Sequence, residues 1–158
     1  MPNHDSLALS RRRLLVTAGT GLLVAAGISA IPHAVRAGTA EADELARKLT
    51  NGAATKEGKV SLKLPQIAEN GNTVPFTVSV DSPMTDSDYV KSVHIISEGN
   101  PIPHVATFNF TPASGKAEVS MRMRMAKTQS IRAVALMSDG SFHEARQEVK
   151  VTIGGCGG

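Results

Sequence analysis

From Lys59 onward the sequence alternates apolar and polar residues with a period of two. KVSLKL (59–64) sets Val60, Leu62 and Leu64 against lysine and serine, and VPFTVSV (74–80) sets Val74, Phe76, Val78 and Val80 against Pro75, Thr77 and Ser79. In an extended chain successive side chains point to opposite faces, so each stretch reads as a strand buried on one side. Five more stretches follow: VKSVHII (90–96), VATFNF (105–110), AEVSMRM (117–123), IRAVALM (131–137) and FHEARQEVKVTI (142–153). Turn chemistry separates them, in ENGN (69–72), DSPMTDSD (81–88), EGNPIP (98–103), TPASGK (111–116) and SDGS (138–141). Asp139-Gly140 between two strands is a strong hairpin signal. Seven short strands joined by such turns predict an all-β fold, an immunoglobulin-like antiparallel β-sandwich. With four Phe, one Tyr, no Trp and one Cys, the core must be aliphatic, and the Cys-Trp-Cys pin of antibody domains is impossible.

Ahead of the strands, EADELARKLTNG (41–52) places Ala42, Leu45, Ala46 and Leu49 on one helical face. Glu41, Asp43 and Glu44 would occupy its first turn, Arg47 and Lys48 lie further on, and Gly52 would stop it. Met121, Met123 and Met125 alternate with Arg122 and Arg124. The methionines are expected to face the core and the arginines water, with an adaptable partner surface as the other reading.

The first residues run MPNHDSLALSRRR, followed by the apolar LLVTAGTGLLVAAGISAI and then HAVRA. A basic n-region, an apolar stretch and small residues at Val35 and Ala37 make a signal peptide cleaved after Ala37. The apolar run of 18 residues nearly spans a bilayer, but its glycines and threonines and the cleavage site argue against stable membrane insertion. Ser10-Arg11-Arg12-Arg13-Leu14-Leu15 resembles a twin-arginine signal, with Arg11 and Arg12 as the recognised pair. The expected organisation is therefore a signal over 1–37, a sandwich over 38–153 and a GGCGG arm over 154–158, with the periplasm as destination. Residues 38–158 carry thirteen Lys and Arg against thirteen Asp and Glu, so the net charge of +3 belongs to the leader. A neutral domain without a basic cluster offers nucleic acid no electrostatic footprint.

The catalytic signatures are missing. His94 lies within a strand, His104 in a proline-rich loop and His143 at the start of the last strand, without an HxH or HxxxH pair. A metal site needs three or four converging ligands, and a copper site of the blue type needs His and Met just after the Cys. Neither pattern is present, so no metal and no cofactor are expected. There is no CxxC or GxSxG either. The chain is expected to carry out no catalysis of its own.

The remaining feature is the end of the chain. Cys156 is flanked by Gly154, Gly155, Gly157 and Gly158. An odd cysteine in an exported protein is either an intermolecular link or a free thiol. Glycines supply neither a base nor a positive charge to activate it, so its pKa should sit near the usual value of about 8.5. They do strip the segment of side chains, making it thin enough for a narrow cleft, and they leave its backbone free. Three residues past Ile153 span about 10 Å when extended. The tail reads as a flexible arm that carries a thiol into the active sites of other proteins.

This ending on a Val-Thr-Ile strand, together with LPQIAENGNTVPFTVSVDSPM (64–84) and MSDGSFHEARQEVKVTIGGCGG (137–158), resembles the SoxY family, sulfur carrier subunits of the bacterial Sox system. The resemblance covers essentially the whole chain after the leader. It implies that intermediates of thiosulfate oxidation are attached covalently to Cys156. A c-type cytochrome enzyme, SoxAX, would form an S-thiosulfonate there, and the hydrolase SoxB would release sulfate to leave a persulfide. A haem–molybdenum sulfur dehydrogenase would oxidise what remains. It also implies a heterodimer with SoxZ, a second small β-sandwich protein without a signal, which could be exported bound to this chain.

Two other classes remain open. β-Grasp carriers ending in Gly-Gly form a thiocarboxylate, but that chemistry uses ATP and that fold has a long central helix. A structural or adhesion sandwich would use Cys156 for an intermolecular disulfide, which has no need of four glycines. A prenyl box has three residues after its cysteine, and here there are two.

Overall fold

The alternating stretches fold as strands, each within two residues of the expected bounds, and pair into two sheets. The computed structural model describes residues 37–155. The leader with Arg11 and Arg12, and Cys156, Gly157 and Gly158, lie outside the described residues. The larger sheet runs in the order β1 (Thr55–Lys56), β9 (Phe142–Ile153), β8 (Gln129–Met137), β5 (Val90–Ser97), β6 (His104–Asn109), with β3 (Ile67–Asn70) also on β9. The smaller sheet is β2 (Val60–Lys63), β4 (Val74–Val80), β7 (Ala117–Met123). A 3₁₀ turn at Pro112–Ser114 connects β6 to β7. The Asp139-Gly140 hairpin forms as expected: Gly140 has φ +83°, and Met137 N donates to Ser141 O at 2.9 Å.

The described strands number nine rather than seven, and two of them are not antiparallel. β1 and β3 both pair parallel to β9, Thr55 opposite Phe142 and Ile67 opposite Lys150. Neither shows a period of its own, since β1 has two residues and β3 buries only Ala68. Their strand character comes from the edge that β9 offers. The expected turn at 69–72 therefore shrinks to Gly71-Asn72, because Glu69 and Asn70 belong to β3.

The aliphatic core fills the space between the sheets. Val74, Val78, Val90, Val93, Ile95, Ile131 and Ala133 are all buried there, from facing strands of both sheets. The methionine stripe divides. Met123 and Met125 are buried in this core, whereas Met121 is 49% exposed. β7 is an edge strand, and the core cover does not reach its middle.

Helix α1 (Ala37–Leu49) begins four residues earlier than expected, at the residue assigned to the end of the leader. Its first turn consequently lacks the expected acids, although Arg47 and Lys48 do occupy the last. Asn51 at φ 52° and Gly52 at φ 76° turn the chain out of the helix, and Gly52 N donates back to Arg47 O at 2.8 Å. Ala42, Ala46, Leu45 and Leu49 pack on Ile96, Val134, Leu136 and Phe142, on the outer face of the larger sheet. Three layers result, and β8 and β5 are buried on both faces.

That outer face also buries charge. Arg132 Nη2 contacts Glu98 Oε1 at 3.0 Å and Asp43 Oδ1 of α1 at 2.6 Å, and its Nε lies 3.5 Å from Glu144. Glu98 also pairs with Arg146. The Glu98 and Arg132 side chains are 5% and 10% exposed, so each depends on the other for compensation.

Candidate functional site: the root of the C-terminal arm

β9 delivers the chain to the arm. At its end three backbone segments meet. Gly71 N donates to Ile153 O at 2.7 Å, Met125 N donates to Gly71 O at 2.7 Å, and Gly155 N donates to Met125 O at 2.9 Å. Gly154 and Gly155 thus leave the strand into a slot between residues 71–72 and 125–126.

The slot admits no side chain. A Cβ on Gly154 would lie 2.2 Å from Ala126 O, and one on Gly155 would lie 2.7 Å from Gly71 O. A Cβ on Gly71 would meet Met125 O at 2.2 Å and Gly155 N at 2.6 Å. Such approaches between backbones are reserved for glycine. The expectation of a free arm from Gly154 onward is corrected here for its first two residues. Gly154 and Gly155 are glycines because they are gripped, and Gly155 is buried. Cys156, Gly157 and Gly158, like the signal pair Arg11 and Arg12, fall outside the described residues. Gly71 and Met125 were missed as site residues. The only trace in the sequence is the glycine inside ENGN, which also serves an ordinary turn.

His94 and His104 are tied into one side-chain hydrogen-bond cluster. His94 Nδ1 and His104 Nε2 both meet Thr107 Oγ1 at 2.9 Å, and His94 Nε2 meets Ser92 Oγ at 3.1 Å. Among the described residues no three of His, Cys, Asp and Glu converge as metal ligands. Burial pushes the His94 imidazole below its ordinary pKa, and the neighbouring His104 adds to this. Burial also lowers His143, helped by Lys59 and Lys56, and its Nδ1 is buried without a partner among the described residues. In both cases the folded pKa lies below the unfolded one. The unfolded chain therefore takes up protons first as pH falls through about 6.5, and stability drops. The melting temperature is expected to decline from pH 7.5 to 5.5. The decline should shrink in His94→Gln/His143→Gln, and an equal decline in that variant would contradict the assignment.

The sequence from Ala46 to Cys156 matches the family described as sulfur oxidation protein SoxY. The chain belongs to the SoxY family. The matched span ends on Cys156, so the family pattern runs through the gripped glycines to the thiol. Among solved structures, the sulfur carrier protein SoxY from Chlorobium limicola f thiosulfatophilum is 37% identical, with a TM-score of 0.59. That match covers 72% of this chain and 99% of the other. Superoxide reductase (neelaredoxin) from Ignicoccus hospitalis has a TM-score of 0.52 at 19% identity, covering 60% of this chain and 80% of that one. A putative superoxide reductase from Thermotoga maritima has a TM-score of 0.53 at 15% identity, covering 61% and 93%. At those identities the likeness extends to the fold alone, which hosts unrelated chemistries. Among curated proteins no sequence matches this SoxY-family chain significantly.

Proposed function

We propose that this SoxY-family chain is a periplasmic sulfur carrier whose Cys156 holds the intermediates of thiosulfate oxidation. The observation that carries the reading is the family match that ends at Cys156, on an arm whose root is built into the sheet. The 37% identical neighbour is itself a sulfur carrier protein.

The chemistry needs little from the carrier. A thiolate and thiosulfate join as R–S–S–SO3⁻ with loss of two electrons, which a c-type cytochrome of the SoxAX kind accepts. Water then cleaves the terminal S–S bond, giving sulfate, two protons and the persulfide R–S–S⁻, the step assigned to a hydrolase of the SoxB kind. A sulfur dehydrogenase would oxidise the persulfide sulfur further. Metal, base and electron acceptor all belong to those enzymes, and a covalent tether raises the effective concentration of cargo at each of them. A SoxZ partner completes the carrier as a heterodimer. Export by the twin-arginine route through Arg11 and Arg12 would carry the pair across already folded.

Intact mass of the protein from thiosulfate-grown cells tests the reading, before and after reductant, with the modified residue mapped. Sulfur and sulfonate additions that map to Cys156 and collapse on reduction are expected. A single unmodified mass during turnover, or only a Cys156 disulfide dimer, would sink the carrier and leave a structural sandwich.

A further inference from the structure

Three buried polar side chains stand out against the aliphatic core: Ser97, Asn100 and Gln129, each 5% exposed or less. They form a closed network. Ser97 Oγ donates to Gln129 Oε1, which also accepts Gly99 N at 2.7 Å, and Ser97 Oγ accepts Asn100 N at 3.1 Å. Gln129 Nε2 in turn donates to Asn100 Oδ1 at 2.7 Å. The Asn100 side chain is thereby fixed in orientation, because its amide is bonded from within the network. An asparagine fixed at this cost must hold something, since a buried polar group without a task weakens a core.

What it holds is the strap 124–126. Asn100 Nδ2 donates to Arg124 O at 2.9 Å, and Asn100 Oδ1 accepts from Ala126 N at 3.0 Å. One side chain therefore grips the strap on both sides of Met125. The Met125 side chain is fully buried, which pins the strap from a third direction. Between those two grips the Met125 backbone N–H and C=O point away from Asn100, and these are the groups that bind Gly71 O and Gly155 N.

We propose that Asn100, the strap 124–126 and Gly71 form a socket that fixes the root of the carrier arm at Gly155, so that the thiol is presented from a stationary point. The proposal deepens the carrier reading and rests on it for its purpose, though not for its geometry. With Gly155 fixed, the Cα of Cys156 is tethered about 3.8 Å from a held atom. The held point nearest the thiol is then Gly155 in place of Ile153. Asn100 and Gly71 are positioning residues. They act on cargo through the backbone of Gly155.

Backbone amide exchange, followed by NMR on the full chain without cargo, tests the socket. The Gly155 amide is expected to be protected well beyond the free-peptide rate. Gly71→Ala and Asn100→Ala should lower that protection by on the order of tenfold or more, while Val134 and Val149 in the sheet keep theirs. Asn100→Asp retains the acceptor for Ala126 N and loses the donor to Arg124 O, so it should fall between wild type and Asn100→Ala. It also serves if Gly71→Ala does not fold. Gly140→Ala is the control for general destabilisation: it strains a φ of +83° in the β8–β9 hairpin with nothing near the new Cβ, and should leave Gly155 unchanged. Free-peptide exchange at Gly155 in the wild type, or equal loss at Gly155 and Val149 in the variants, would overturn the socket. Neither result depends on sulfur bound to Cys156, so failure of the carrier reading would register separately in the mass measurement.

Discussion

Serine in place of Cys156 is expected to reduce thiosulfate turnover in a reconstituted Sox assay to the rate without carrier. Attachment of cargo makes a sulfur–sulfur bond by a two-electron oxidation, which a hydroxyl does not undergo. A thiol of pKa about 8.5 also supplies a few per cent of thiolate at neutral pH, whereas serine supplies essentially no alkoxide. The substitution exchanges one atom and leaves the grip on Gly154 and Gly155 untouched. The variant should therefore still dock with the enzymes, and excess variant should inhibit turnover of the wild type. Turnover of Cys156→Ser above the carrier-free rate would place the cargo elsewhere. Absence of inhibition would mean that enzymes recognise the thiol itself instead of the domain presenting it.

Glu98→Ala is expected to cost about 3–5 kcal/mol of folding stability, the usual result of removing one member of a buried ion pair. The Arg132 side chain is 10% exposed and would lose the most buried of its counter-charges among the described residues. Asp43 is 56% exposed, and Glu144, 23% exposed, reaches only the guanidinium Nε at 3.5 Å, so both offset part of the loss without taking over the buried Nη2 contact. Arg146 is half exposed and can turn to water, adding little to the loss. For a domain of this size the melting temperature should fall by roughly 10–20 °C, measured by circular dichroism. Asp43→Ala, which removes the exposed partner, should cost about 1 kcal/mol or less. Equal effects of the two variants would contradict the burial argument.

Strands that own their alternation were legible in the sequence, and so was the amphipathic face of the helix. β4 and β9 carry enough residues for a period of two to register, and Ala42, Leu45, Ala46 and Leu49 mark the face that α1 buries. β1 and β3 were not legible, because two and four residues hold no period and their pairing is determined by β9. The start of α1 was displaced because residues 37–40, AGTA, resemble the small-residue end of a leader as much as a helical turn. At the site, the glycines around Cys156 were conspicuous, but their physical meaning was not. Glycine permits both freedom and close approach, and only the positions of Gly71, Met125 and Ala126 decide between them. Asn100 sat within EGNPIP, where an asparagine reads as turn chemistry. Its bonds to Arg124 and Ala126 join residues 24 and 26 positions away, a separation that local pattern does not encode.

β9 has hydrogen-bonded neighbours on both sides, β8 on one and β1 and β3 on the other. A pull on the C-terminal residues would enter the domain at the Gly155 contact and then run along this strand. Inter-strand hydrogen bonds lie across the strand direction, so a pull along β9 loads many of them together in shear. An edge strand would instead unzip from its end, one bond at a time. The longest of the described strands, paired with β8 over 142–149 and with β1 and β3 at its two ends, is a mechanical anchor that lets the tail be pulled without the sheet opening behind it.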